Sequence, residues 1–90
     1  MPGRDMGHTG RAAFNGGQFA VDDWVLIAGE IASRERRQGW FHCRDDRFRA
    51  RRSERMRLSL DPLSGPPFEV DVEITAALPE KHLWQFKTVS

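Results

Sequence analysis

The sequence predicts a mainly β fold: a small antiparallel sheet or partly open barrel of about five strands, preceded by a mobile N-terminal arm. Three observations carry that expectation. Apolar residues occupy every second position over 56–60 and again over 68–74, the period of a strand with one dry face. Between those runs, "DPLSGPP" concentrates residues that stop strands. Finally, 90 residues with 39% hydrophobic and 30% charged composition, three Trp and six Phe can fold around one modest core and no more.

The first seventeen residues, "MPGRDMGHTGRAAFNGG", hold five of the eight glycines and only Met1, Met6 and Phe14 as bulky apolar groups. No period runs through them, so they are expected as a mobile arm over 1–17, ahead of one folded domain over 18–90. Two periods fit the stretch that follows, "FAVDDWVLIAGEIASRERRQG". A helix over 22–38 would start at Asp22 and align Trp24, Ile27, Ala28 and Ile31. Packed on a four-stranded antiparallel sheet, it would give the α+β alternative. That helix exposes Val25 and Leu26, whereas a strand over Trp24 to Ile27 uses their β character and leaves "RERRQG" as a charged turn, so the strand is preferred.

"GWFHCR" and "RFRAR" are then expected as short strands joined through Asp45-Asp46, a turn chemistry in which Asp bonds the nearby backbone. The face begun by Phe48 and Ala50 stops being apolar at Arg52 and Glu54, which calls for a bend or bulge. Residues 56–74 form a hairpin whose apolar faces choose the register. Leu60 opposite Phe68, Leu58 opposite Val70 and Met56 opposite Val72 build one dry face; Arg57 then meets Asp71 and Arg55 meets Glu73. After a break at Pro79, "HLWQFKTVS" supplies a last strand with Trp84 and Phe86 on one side.

The net charge of +1 is a small difference between larger opposed blocks. Residues 34–57 carry ten Arg against four acids, while both flanking segments are acidic. Arginine favours bidentate contacts to carboxylate or phosphate. Arg55 and Arg57 are answered by the acids of the hairpin. Arg47, Arg49 and Arg51 have no matching acid stripe, and Arg34, Arg36 and Arg37 form a second basic cluster near Trp40. These six arginines and Trp40 are the candidate partner-binding residues.

Other chemistry finds little support. Cys43 is the single cysteine, so no internal disulfide forms and a reducing compartment, the cytoplasm, is expected. No run is long enough to span a bilayer. His8, His42, Cys43 and His82 lack metal-ligand spacing, and no nucleophile motif or phosphate loop occurs. Asp22-Asp23 and Asp45-Asp46 are adjacent in sequence, which suits caps and turns better than acid–base work. "RRSER" before "DPLSG" departs from the PilZ arginine and Asp/Asn-x-Ser-x-x-Gly pattern at Ser64-Gly65, and no family is recognised. The expected function is a non-catalytic macromolecular binding module without metal or cofactor. Its partner is another protein or a second copy of the chain, docking on the Arg-rich surface. The alternative partner is single-stranded nucleic acid or another polyanion, held by the same arginines.

Overall fold

A computed structural model describes residues 4–27 and 37–89. Its starting point is the dipeptide Asn15-Gly16. Both residues have positive φ, +56° and +82°, the geometry of a two-residue type I′ hairpin turn, whose twist matches that of the flanking strands. The hairpin is long. On one side β1 (Arg4–Gly7) and β2 (Thr9–Phe14) are separated only by His8; on the other, β3 (Gly17–Val21) and β4 (Trp24–Ile27) are separated only by Asp22 and Asp23. Gly10 faces Val21 in one half and Gly7 faces Trp24 in the other, so a single register runs through the interruption.

The remaining strands are β5 (Gln38–His42), β6 (Arg55–Asp61), β7 (Phe68–Leu78) and β8 (Leu83–Thr88), with a 3-10 turn over Pro79–Lys81 between the last two. All pairings are antiparallel, and the eight described strands form one sheet in the order β1-β4-β5-β8-β7-β6-β2-β3. That order begins and ends with the two halves of the first hairpin. Such connectivity obliges the sheet to roll until β4 meets β5 at one end and β2 meets β6 at the other. Polar groups at the interruption are satisfied across the roll: the Trp24 indole N–H donates to Thr9 O at 2.9 Å and Leu63 N–H to Met6 O at 2.9 Å.

The inside of the roll is the core. Trp24, Leu26, Phe41, Leu58, Leu60, Val72, Ile74, Trp84 and Phe86 are buried there, with Phe41 stacked near Trp84 at 6.1 Å between centroids. Gly39 lets β4 and β5 close over it. A Cβ at that position would collide with Val25 O and come 2.8 Å from the Phe86 ring.

The hairpin register expected from sequence is present at every pair from Leu60↔Phe68 to Arg55↔Glu73. Other expectations are corrected. The sheet has eight strands among the described residues, not about five. Over its described residues the N-terminal segment is not a mobile arm: Arg4 to Phe14 pairs along almost its whole length, because the Asn-Gly turn folds it onto 17–27. Residues 24–27 are strand, which overturns the helix over 22–38 and the α+β alternative where they can be compared; residues 28–36 lie outside the described residues. "RFRAR" does not join the sheet, although Phe48 and Ala50 are buried and Arg47, Arg49 and Arg51, which alternate with them, are exposed, the alternation the strand reading relied on.

Candidate functional site

Between β5 and β6 the chain makes an excursion over 43–54 that covers one end of the rolled sheet. It is pinned at both turns. Asp45 accepts hydrogen bonds from Phe48 N–H through its carbonyl at 3.0 Å and from Arg47 N–H through its carboxylate at 2.9 Å. At the far end Arg51 and Glu54 clasp each other: Arg51 N–H donates to Glu54 Oε1 at 2.8 Å and Glu54 N–H to Arg51 O at 3.1 Å. Ser53, in the left-handed region with φ +77°, turns the chain, and its N–H donates to Ile74 O at 2.8 Å.

Phe48 anchors the middle. Its ring is buried and meets Trp84 edge-on at 4.8 Å, Phe19 at 5.2 Å, Phe14 at 5.6 Å and Phe41 at 5.8 Å. The Trp84 indole N–H donates to Ala50 O at 3.0 Å, fixing the next inward residue as well. Inward Phe48 and Ala50 force Arg49 and Arg51 outward. The result is a rigid ridge with a cleft on each side. One cleft, of about 530 Å³, lies toward Ala77, Pro79, His82 and Trp84. The other, of about 640 Å³, lies toward Phe14, Asn15 and Phe19. Arg49, Arg51 and Arg52 line both.

The charges on this end divide into paired and unpaired. Arg47 is paired: its Nη2 lies 2.9 Å and its Nε 3.1 Å from the Asp45 carboxylate, and its guanidinium stands 5.9 Å over the Phe19 ring. That fork holds the Asp45 carboxyl below the ordinary 3.8 and raises Arg47. On β6 and β7, Arg55 meets Glu73 at 3.2 Å and Arg57 meets Asp71 at 2.9 Å, with Glu69 at 3.5 Å. Arg44 lies 3.7 Å from Asp22. Among the described residues, the side chains of Arg49, Arg51 and Arg52 form no ion pair or hydrogen bond.

The seven residues singled out from sequence therefore do not form one cluster. Arg49 and Arg51 share the ridge. Arg47 is beside them but neutralised by Asp45, two residues away, through a turn whose side-chain geometry a strand reading could not supply. Arg37 sits at the opposite end of β5, its Nη2 2.9 Å from Asp5 Oδ2, so it does not extend the basic surface of the ridge. Arg34 and Arg36 lie outside the described residues. Trp40 is half-buried on the outer face of the sheet, in one row with Met6, Val25 and Gln85, and its ring meets His42 at 5.3 Å. Ile27 next to that row and Leu63 beside Met6 are exposed, giving this face an apolar character. Sequence reasoning passed over Arg52, Phe14 and Phe19. The signal for the two phenylalanines was present in "FNGGQF", an Asn-Gly pair flanked by aromatics.

Among the described residues no group of three or more His, Cys, Asp or Glu side chains gathers as a metal site would require, and no helix is long and apolar enough to cross a membrane. Comparison of the chain with protein-family models, with curated proteins and with solved structures finds no match.

Proposed function

We propose that the chain is a non-catalytic binding module that docks an acidic surface of another protein on the ridge over 43–54. One observation carries this reading. Of the arginines from 37 to 57, five have a carboxylate oxygen within 3.7 Å, and the three left unanswered stand together on a segment anchored to the core. Because the backbone beneath them is already anchored, only the side chains of these guanidiniums need be ordered on meeting a carboxylate. The lone buried thiol, Cys43, suits a reducing compartment such as the cytoplasm.

Titration with poly-glutamate tests the reading. Binding is expected at low ionic strength, to weaken with added salt, and to disappear in an Arg49→Ala/Arg51→Ala/Arg52→Ala variant. Absence of binding at low salt contradicts it. A second reading, single-stranded nucleic acid, draws on the half-buried Phe14 and Phe19 rings in the larger cleft beside Arg49 and Arg51. It predicts that oligothymidylate binds with a linear log–log salt dependence and a gentler slope after Arg49→Ala.

A further inference from the structure

The protein already contains a worked instance of arginines read by acids. Along β6, Arg55 and Arg57 alternate with inward Met56 and Leu58, and β7 answers them with Glu73 and Asp71 two residues apart. Six positions upstream, Arg49 and Arg51 repeat the pattern, alternating with inward Phe48 and Ala50. Guanidiniums two residues apart on an extended chain repeat at roughly 6.5 Å, the same repeat as carboxylates at alternate positions of a facing strand. On the ridge, however, no strand among the described residues lies opposite.

The backbone is open there as well. Neither the N–H nor the C=O of Arg49 has a hydrogen-bond partner among the described residues, whereas Ala50 O is held by Trp84 on the other side of the segment. A residue whose N–H and C=O are both unpaired is the unit that exchanges two hydrogen bonds with an incoming antiparallel strand. Phe48 N–H and both backbone groups of Arg51 are already committed to the local turns, which limits such pairing to the immediate neighbourhood of Arg49.

We propose that the occupant of the ridge is an extended segment of a partner protein with Asp or Glu at every second position. It seats on Arg49 by main-chain pairing and on Arg49 and Arg51 by two carboxylates, as β7 does on β6. This inference rests on the protein-binding reading above and adds to it the spacing and backbone conformation of the ligand. Arg52, beyond the alternation, contributes attraction without register.

Two peptides of equal length and composition separate the ideas, one alternating Glu with Val and the other carrying its Glu residues in one block, with oligothymidylate as a third probe. The expected result is that the alternating peptide binds about tenfold tighter than the blocked one, and that Arg49→Gln or Arg51→Gln removes the preference. Arg55→Gln, on a paired arginine, leaves the preference in place. Amide exchange at Arg49 N–H slows on binding the alternating peptide, which attraction between side chains alone does not produce. Equal binding of both peptides, or an unchanged Arg49 exchange rate, overturns the strand-like mode while the acidic-partner reading stands. Binding of oligothymidylate with neither peptide binding overturns both.

Discussion

Phe48 contributes no charge to the ridge, yet it decides where the charges stand. Truncating it removes ring contacts to Phe14, Phe19, Phe41 and Trp84 at once, and Phe48→Ala is expected to cost about 3–5 kcal/mol in a denaturant titration. At temperatures where the variant is still folded, poly-glutamate affinity should also fall, although every arginine remains. Cys43, fully buried at the start of the excursion, has its thiol pushed up by burial. It should react with a thiol reagent far more slowly in the native protein than in denaturant. At this scale the sequence was legible wherever a local period set the answer, as at Arg55 and Arg57. It was not legible at Arg47, whose mate is fixed by side-chain bonding within a turn, or at Arg37, whose mate Asp5 comes from a segment distant in the chain.

Two hairpins frame the molecule, and they differ in how openly the sequence announced them. The β6–β7 pair was recoverable to the residue because its apolar faces tolerate no shift of one position. The β1–β4 hairpin was hidden by glycines that look like the composition of a flexible segment. Gly7 is nevertheless a close-packing position where a Cβ would lie 2.6 Å from the Trp24 indole nitrogen, and Gly16 supplies the second positive φ of the turn. Gly16→Ala should therefore destabilise the fold by about 1–2 kcal/mol in thermal or denaturant unfolding. The charged face of β6–β7 gives a pH dependence of definite sign. The Arg57 hydrogen bond and charge hold the Asp71 carboxyl below 3.8, so it stays ionised in the folded protein at a pH where the unfolded chain takes up a proton. Its stabilisation is complete above the unfolded value and is lost as pH falls through about 4 and below. The stability gap between the native sequence and Asp71→Asn should be larger at about pH 6 than at about pH 3.

For the whole molecule, the same charges that nearly cancel in total are separated in space. Among the described residues of that block, acids of β1, β7 and the turns engage five of eight arginines, and the ridge at one end of the rolled sheet carries the other three. The opposite property appears on the outer face of β1, β4 and β5, where Met6, Val25, Ile27 and Trp40 are at least partly exposed. If a second copy of the chain is the partner there, sedimentation should show association that rises with concentration and is weakened by Trp40→Ala more than by added salt. The rolled architecture itself was legible only in part. Mainly antiparallel β character follows from local periods, but closure depends on one hairpin serving both ends of the sheet, a long-range relation that no local pattern encodes. The central claim is that position, not arginine content, makes the binding surface. Its most direct test compares poly-glutamate affinity at low salt in two variants from which equal charge is removed, Arg49→Ala/Arg51→Ala and Arg55→Ala/Arg57→Ala. Loss of binding in the first with near-native affinity in the second is the predicted result. Equal losses in both would contradict it.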